Sequence, residues 1–283
     1  MKILNVDKGS VKIGKLNVAY THIDGGEDTI IFIHGNSAGK DVFDGQLKFF
    51  SNKGYSVLAI DLPGHGESAN SNDPEIDYNF PAFALLVKKV QDSLGVKDPL
   101  IVGWSLGGHV AIEMAGRGFD MSGAMIFGTP PMGPGMEDFE TAFLPSEAMA
   151  VTLKEKRTDE DVQTYVSGLY GSLTELPDAY LNLAARTDPA MGAHVGAHWS
   201  SGEQGCHQQT VAAGWQKPFC VIHGDEDVFA SKLFIQGLKW GNLWKEKVLI
   251  LEGIGHAPFV EAPEHFNKIL LEFAEDVFQQ KRV

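Results

Sequence analysis

Cysteine is scarce in this chain, which has only Cys206 and Cys220 among its 283 residues. A fold held together by several disulfides is therefore excluded, and the composition favours a cytoplasmic protein over a secreted one. The first residues lack the apolar core of a signal peptide, and no apolar run reaches the length that spans a membrane. We therefore predict a cytoplasmic location and no membrane partner.

Basic residues are also few. The chain has 23 Lys and Arg against 37 Asp and Glu, so its formal net charge is −14. This balance argues against nucleic acids and anionic membrane surfaces as partners, and it leaves a small neutral molecule open. The hydrophobic content of 43% is ample for a core, and the length fits one large domain or one domain with an insertion.

What the chain does contain is an apolar run that ends in a serine flanked by glycines. Residues 99–102 predict a buried strand, residues 103–107 read Gly-Trp-Ser-Leu-Gly, and residues 108–117 are compatible with a helix. A serine between a strand and a helix is typical of a nucleophile elbow, whereas the five-residue pattern alone also occurs in surface turns. Glycines are needed because the strand and helix close tightly around a strained serine. We therefore predict that Ser105 is a nucleophile.

A serine hydroxyl becomes a good nucleophile only when a base takes its proton and an acid orients that base. In the strand–elbow–helix architecture the acid and then the histidine follow the serine along the chain. Residues 218–222 predict a strand that leads to Asp227, and residues 247–251 predict one that leads to His256. Ligand sites of open α/β sheets lie at such strand ends. We predict Asp227 as the acid and His256 as the base.

Three neighbouring acids compete for this position. The loop after the strand needs a few residues to turn a carboxylate back toward the histidine, which favours Asp227, with Glu226 next and Asp225 as a solvated charge. His256 could instead be a histidine bonded to a loop carbonyl. It is the one histidine after Asp227 that follows a predicted strand, since His265 lies within a helical pattern.

The remainder of the chain alternates strand and helix patterns. Repeated βα units predict an α/β fold with a mostly parallel central sheet and helices on both faces. The predicted strands are residues 17–23, 29–33, 56–60 and 123–127, of which the first alternates like an exposed strand. The predicted helices are residues 44–53, 80–95, 230–240 and 263–281.

Residues 129–214 break this alternation. They open on a proline- and glycine-rich stretch, contain amphipathic helical segments at 160–169 and 177–186, and become Gly- and His-rich at 192–205, as in a loop. We predict a helical cap at 129–214 inserted into an α/β core of residues 1–128 and 215–283. Such lids exclude water and shape a substrate pocket, although a separate domain without a catalytic part is the alternative.

A loop after the strand at residues 31–33 predicts an oxyanion hole. It reads His-Gly-Asn-Ser, and a loop of this kind supplies one backbone N–H while the residue after the nucleophile supplies the other. The donors would be Asn36 and Leu106. Ser37 could contact the ligand or cap the loop. The turn-rich loop at 61–68 is predicted to have a structural role and not a catalytic one.

These motifs, taken together and in order, resemble the α/β-hydrolase fold family. They are His34-Gly35, the loop 61–68, the run 103–108, His223-Gly224-x-x-Asp227 and Gly255-His256. Within that family the chain is most similar to the N-acyl-homoserine lactonases of α/β-hydrolase type. The closer resemblance lies in residues 104–109, 128–131, 185–188, 241–244 and 255–259.

The resemblance implies a metal-independent enzyme that opens the homoserine lactone ring with a serine triad. The lactonases it resembles carry glutamate as the triad acid, where this chain has Asp227; either carboxylate can orient an imidazole. The resemblance also implies substrate contacts at Tyr165, or at Tyr170 as the alternative, and at Trp104 and Phe259. Either tyrosine could instead be a packed aromatic of the cap.

Other functions remain open at this stage. A general carboxylesterase and a hydrolase of carbon–carbon bonds use the same residues, and a ligand receptor could keep the triad for sensing. An aspartate in place of Ser105 would have indicated a dehalogenase or an epoxide hydrolase. Metal-dependent lactonases carry His-x-His-x-Asp-His, which is absent. His194, His198 and His207 could form a cap metal site, but isolated loop histidines are more common, so we predict no metal and no cofactor.

Overall fold

Eight strands form one sheet in the computed structural model, which describes residues 5–133, 137–152, 154, 157–171, 173, 175–202 and 205–281. The strands are β1 Asn5–Ile13, β2 Leu16–Asp24, β3 Thr29–Ile33, β4 Ser56–Ile60, β5 Leu100–Trp104, β6 Gly123–Phe127, β7 Phe219–Gly224 and β8 Leu249–Leu251. Their order is β1-β2-β4-β3-β5-β6-β7-β8. The β1–β2 and β2–β4 pairs are antiparallel and the others are parallel, which confirms the predicted α/β fold.

The central strands are apolar along their whole length because both faces of the sheet are covered. Every residue of β3, β4, β5 and β6 is buried. Alternate residues of β3 belong to different cores: Phe32 packs with Phe50 and Leu270 on one face, and Ile31 packs with Val87 and Val110 on the other. Continuous apolar runs of this kind are typical of parallel sheets between two helical layers.

Helices supply both layers. The helices outside residues 129–214 are α1 Asp44–Asn52, α2 Pro74–Asp77, α3 Phe80–Ser93, α4 Leu106–Gly116, α11 Lys232–Gly237, α12 Pro258–Glu261 and α13 Pro263–Lys281. Helices α1 and α13 contribute to the first core, and α3 and α4 contribute to the second. The predicted start of α3 agrees with its cap, because the Asn79 side chain accepts a hydrogen bond from the backbone of Ala82 at 2.8 Å.

Several element boundaries differ from the predictions. Strand β1 was not predicted, and residues 17–23, predicted as an exposed strand, lie mostly buried in β2. The 61–68 loop covers this strand, and the backbone N–H of Ala19 donates a hydrogen bond to Ser68 Oγ at 2.8 Å. The helix predicted at 230–240 is the shorter α11, and the strand predicted at 247–251 is shortened to β8. Alternation in sequence cannot show that a loop covers the polar side of a strand.

Between β6 and β7, the elements that the structure describes are all helices. The helices are α5 Phe139–Ala142, α6 Glu147–Thr152, α7 Asp159–Leu169, α8 Asp178–Arg186, α9 Pro189–Ser201 and α10 Gln208–Gly214. The loop expected at residues 192–205 is wrong for its first part, which belongs to α9. The Asp188 side chain caps that helix by accepting from the backbone of Ala190 at 3.0 Å, and Gly202 ends it at φ +77°.

The helices were also compared with the requirements of a membrane span. Among the residues that the structure describes, no helix combines the length and the apolar character that a membrane span requires.

Candidate functional site

Ser105 lies at the sharp turn between β5 and α4, where its backbone has φ +52° and ψ −115°. This left-handed conformation is rare for a residue with a side chain and indicates strain maintained by the surrounding structure. The turn leaves no room for side chains beside it. A Cβ on Gly103 would lie 2.4 Å from the Gly107 carbonyl oxygen, and one on Gly107 would lie 2.1 Å from the Ile33 carbonyl oxygen. The glycines of the motif therefore permit the turn that presents Ser105.

His256 and Asp227 form a buried hydrogen-bonded pair at the ends of the neighbouring strands. His256 Nδ1 lies 2.8 Å from Asp227 Oδ2, and both side chains are almost fully buried. Asp227 Oδ1 accepts hydrogen bonds from the backbone N–H groups of Phe229 at 2.7 Å and Ala230 at 3.0 Å. Burial alone would raise the pKa of the Asp227 carboxyl, but His256 and these donors outweigh it and leave the pKa below its ordinary value. The carboxylate is therefore charged and oriented.

The neighbouring acids lie elsewhere. Asp225 and Glu226 are both exposed, and the Asp225 carboxylate accepts a hydrogen bond from the backbone of Gly253 at 2.7 Å. Of the three acids in this loop, Asp227 is the one in contact with His256. The two-residue turn after β7 brings it there.

The histidine ring is confined on several sides. The Phe229 ring centroid is 4.8 Å from that of His256, and Trp104 Nε1 donates a hydrogen bond to the His256 carbonyl at 2.9 Å. Gly128, at φ +59°, lies so close that a Cβ there would be 2.6 Å from His256 Cε1. With Nδ1 engaged by Asp227, the ring nitrogen left for a proton transfer is Nε2, and His256 lines the same cavity as Ser105.

That cavity also contains the predicted oxyanion residues. Asn36 and Leu106 both line it. Leu106 is the first residue of α4, so its backbone N–H is one of the donors that a helix leaves without an internal partner. The Asn36 loop packs directly on the elbow, since a Cβ on Gly35 would lie 3.2 Å from Ser105 Cβ.

The cavity has a volume of about 170 Å³ and lies between the sheet edge and the inserted helices. Its apolar lining comes from both sides, and the lining residues that the structure describes include no lysine or arginine. They are Asn36, Ser105, Leu106, His109, Phe139, Phe143, Met149, Thr152, Tyr165, Met191, Gly192, Val195, Gly196, Trp199, Phe229 and His256. The site therefore suits an uncharged ligand with an apolar part.

Tyr165 reaches this cavity from α7. It is buried, and its Oη donates a weak hydrogen bond to the Asn36 carbonyl oxygen at 3.4 Å. Burial raises the pKa of Tyr165 to about 12, so the phenol keeps its proton at neutral pH and remains a donor.

Trp104 and Phe259, predicted as substrate contacts, lie outside the cavity, and so does Tyr170, the alternative to Tyr165. Trp104 and Phe259 are fully buried under His256, with ring centroids 5.0 Å apart, and neither lines the cavity. Tyr170 is stacked on Tyr180 at 4.4 Å. Trp104 lies on the buried strand β5, where side chains face the two cores, so the structure gives it a supporting position behind the histidine.

The histidines considered as metal ligands do not converge. His198 Nε2 lies 2.9 Å from the Glu75 carbonyl oxygen, and the His207 ring accepts from the backbone of Thr210 at the start of α10. Across the described ranges, no group of three or more His, Cys, Asp and Glu side chains has the arrangement of a metal site.

One cavity residue that the sequence analysis missed is His109. It lies one turn after Ser105 on α4. Since residues four apart share a helix face, this spacing could have predicted that His109 lies on the same side of the helix as Ser105. Its Nδ1 lies 2.8 Å from Gln208 Oε1, and its ring contacts Trp199 edge-to-face at 4.7 Å. Burial lowers the pKa of His109 to about 4, so this ring is neutral at neutral pH.

Comparison with known proteins bears on the family and fold of this chain. Residues 30–268 match the model of the alpha/beta hydrolase family. The solved structure of the N-acyl homoserine lactonase AidH complexed with N-butanoyl homoserine is 34% identical and superposes with a TM-score of 0.91, covering 96% of this chain and 98% of that one. A serine-to-glycine variant of AidH complexed with N-hexanoyl homoserine lactone is 33% identical, again with a TM-score of 0.91, covering 96% and 99%.

Curated relatives are more distant. The AB hydrolase superfamily protein YisY of Bacillus subtilis is 22% identical over 87% of this chain and 91% of its own length. A 2-hydroxy-6-oxononadienedioate/2-hydroxy-6-oxononatrienedioate hydrolase of a Pseudomonas species is 23% identical over 96% of this chain and 95% of its own length.

Proposed function

The chain belongs to the alpha/beta hydrolase family, and on that basis we propose that it is a serine hydrolase that opens the ring of N-acyl-homoserine lactones. The observation that carries the proposal is that His256, paired with the buried Asp227, lines the same cavity as the strained Ser105. The similarity to AidH over nearly the whole chain supports the lactone as the substrate.

In the proposed reaction Ser105 Oγ attacks the lactone carbonyl while His256 Nε2 takes its proton. Asp227 holds Nδ1–H of the ring and stabilises the imidazolium that forms. The backbone N–H groups of Asn36 and Leu106 would donate to the oxyanion. His256 then returns the proton to the ring oxygen, and the alcohol so formed stays attached to the acyl group.

Deacylation completes the reaction. Water, deprotonated by His256, attacks the ester carbonyl on Ser105, and the bond to Oγ breaks. The product is one hydroxy acid that contains one more water than the lactone. Residues 129–214 would act as a cap that excludes bulk water from this step, over a core of residues 1–128 and 215–283. The proposal places the enzyme in the cytoplasm and requires no cofactor.

The charge of the cavity favours a lactone over the substrates of the curated relatives. The Pseudomonas relative is named for dioates, which carry two carboxylates. A buried dianion needs cationic partners, and the described lining contains none. A neutral lactone with an apolar acyl chain requires no such partner. A general carboxylesterase is the second candidate, since a neutral ester suits the same cavity.

The test is a matched panel of substrates. Purified protein would receive N-butanoyl-, N-hexanoyl- and N-dodecanoyl-homoserine lactone, a p-nitrophenyl ester of each acyl length and a ring-fission diketone. Ring opening would be followed by proton release and by a product mass one water larger. We expect many turnovers on lactones, unchanged activity after chelation because a triad needs no cation, and inactivation by a serine-directed phosphonate.

Each alternative has its own outcome. Turnover of simple esters without opening of any lactone would retain the serine hydrolase and reject the lactonase. Tight binding with a single turnover would indicate a receptor. Activity lost on chelation and restored by zinc would replace the triad by a Lewis-acid route.

A further inference from the structure

Arg157 lies just before α7, beside the catalytic cavity. Its Nη1 donates a hydrogen bond to Ser37 Oγ at 3.0 Å, and its guanidinium lies 5.2 Å from the centroid of the Tyr165 ring. Both neighbours adjoin Asn36: Ser37 follows it in the chain, and Tyr165 Oη donates to its carbonyl. The arginine therefore stands at the junction of the inserted helices and the proposed oxyanion loop.

The charge of Arg157 has no carboxylate partner within the described part of the chain. The nearby Lys154 differs, since its Nζ forms an ion pair with Asp161. An unpaired, half-buried arginine is notable in a chain with a net charge of −14. Its planar guanidinium retains N–H groups suited to a carboxylate, which it can bind through two parallel hydrogen bonds.

Two outer cavities adjoin the catalytic cavity beside this residue. One, of about 570 Å³, shares Asn36, Met191 and Gly192 with the catalytic cavity. The other, of about 360 Å³, shares Thr152 and Trp199 among others. Arg157 and Lys154 line both outer cavities, and neither lines the catalytic one. The larger outer cavity is also lined by Asp159 and by Asp188, whose carboxylate already accepts hydrogen bonds from Tyr78 and the backbone of Ala190. Lys154 is paired with Asp161, so Arg157 is the cation of these cavities without a described ion pair, and it lies outside the place where a ligand reacts.

We propose that Arg157 binds the carboxylate of the hydrolysis product in the outer cavities and so draws the product away from Ser105. This inference rests on the proposed function, because hydrolysis changes the charge of the ligand. Water adds to the acyl carbon, the bond to Ser105 Oγ breaks, and the acid loses its proton to solvent. A neutral substrate thereby becomes an anion, and only the anion gains from Arg157.

The experiment measures binding without turnover. Calorimetric titration would give Kd values for N-butanoyl homoserine, the ring-opened acid, and for its carboxamide, which has nearly the same shape and no charge. The proteins are the wild type, Arg157→Gln, Arg157→Lys and the matched control Lys154→Gln. Glutamine can keep a hydrogen bond to Ser37 while removing the charge, and lysine keeps the charge without the planar fork.

We expect Arg157→Gln to weaken binding of the acid about tenfold, as for the loss of one charge-assisted hydrogen bond, and to leave the carboxamide within about twofold. Arg157→Lys should recover part of the loss, and Lys154→Gln should bind both ligands like the wild type. Equal losses for acid and carboxamide would reduce Arg157 to a structural support for Ser37, and an unchanged Kd for the acid would overturn the proposal.

A parallel titration with hexanoate and hexanamide separates this inference from the lactonase. These are products of simple ester cleavage. If the protein opens no lactone but Arg157→Gln still weakens hexanoate selectively, the carboxylate site stands for an esterase. If lactones are opened and neither acid depends on Arg157, the proposed function stands and this site is rejected.

Discussion

The two walls of the catalytic cavity are built in different ways. The core wall carries Ser105 and His256, and the turn at Ser105 is determined by backbone contacts, as at Gly107, where a Cβ would collide with the Ile33 carbonyl oxygen. The opposite wall consists of side chains such as Phe139 and Trp199, which project from separate short helices. Backbone geometry controls where a reaction takes place, whereas projecting side chains control which molecule fits. We therefore expect changes on the core wall to affect all substrates and changes on the other wall to alter their ranking.

The largest effect should come from the nucleophile. Ser105→Ala deletes one hydroxyl at the tip of the elbow and leaves the fold unchanged, and it should lower kcat by a factor on the order of 10⁴ or more. Steady-state rates on a lactone and on a p-nitrophenyl ester, with circular dichroism to confirm folding, would measure this. If a folded Ser105→Ala protein kept most of its activity on either substrate, the nucleophile would have to be sought elsewhere.

The acid should rank second. Asp227→Asn keeps the shape of the side chain but removes the negative partner of the imidazolium, which should cost a factor of about 10² to 10⁴ in kcat on both substrates. Asp225→Asn and Glu226→Gln are matched controls, because both side chains are exposed and do not contact His256. Measuring kcat for the three variants identifies which of these acids acts with His256. A greater loss in Glu226→Gln than in Asp227→Asn would show that the loop is misplaced by one residue.

His109 on the core wall contacts Trp199 on the opposite wall, and the pH dependence of the free energy of unfolding tests whether this contact is closed to water. Its pKa is about 4 in the folded protein because burial disfavours the charged ring, against 6.5 in the unfolded chain. Between pH 4 and pH 6.5 the unfolded state binds more protons than the folded state. The free energy of unfolding that depends on a neutral His109 is therefore fully present above pH 6.5 and is lost as the pH falls toward 4. The difference corresponds to about 3 kcal/mol in the free energy of unfolding.

The check is urea unfolding of wild type and His109→Gln at pH 7, 5.5 and 4.5. Burial also lowers the pKa values of His34, His65 and His223, so both proteins should lose stability in acid. The wild type should lose more, by up to the amount assigned to His109. Parallel losses in the two proteins would mean that this ring titrates normally and that the cavity around it is open to water.

Tyr165 should give the smallest and most selective effect. Tyr165→Phe removes one buried hydroxyl at the Asn36 loop, and a lost neutral hydrogen bond is worth about 0.5–1.5 kcal/mol, a factor of about 2 to 12 in kcat/KM. If the hydroxyl contacts the lactone head, kcat/KM should fall more for N-hexanoyl-homoserine lactone than for p-nitrophenyl hexanoate. Equal losses would assign Tyr165 to support of the loop and remove the proposed difference between the walls.

Prediction from sequence was most successful where the chemistry depends on local geometry. The elbow at Ser105 needs an apolar strand, glycines and a helix in immediate succession, so a stretch of fewer than twenty residues contains all the information. The positions of Asp227 and His256 followed from strand ends, because parallel strands end at one edge of the sheet. The roles of these residues remain proposals until the variants are measured.

Prediction was least successful where a residue's position depends on distant contacts. Trp104 and Phe259 belong to motifs beside the site, yet they pack behind His256. The Gly- and His-rich run was interpreted as a loop, but its first part is helical in α9, with Asp188 as its cap and Trp199 against His109. Glycine lowers intrinsic helix propensity, and tertiary packing overrode that preference here.

The sequence by itself determined the buried parallel strands, the strained serine turn and the order of serine, acid and histidine, because each depends on neighbouring residues or on strand direction. Only the tertiary structure decided that Asp227 rather than its exposed neighbours contacts His256, that the described residues lining the cavity include no lysine or arginine, and that Arg157 stands outside it. Those facts arise where helices from a long insertion pack against a sheet edge. Residues brought together by such packing share no local pattern, so their proximity cannot be read along the chain.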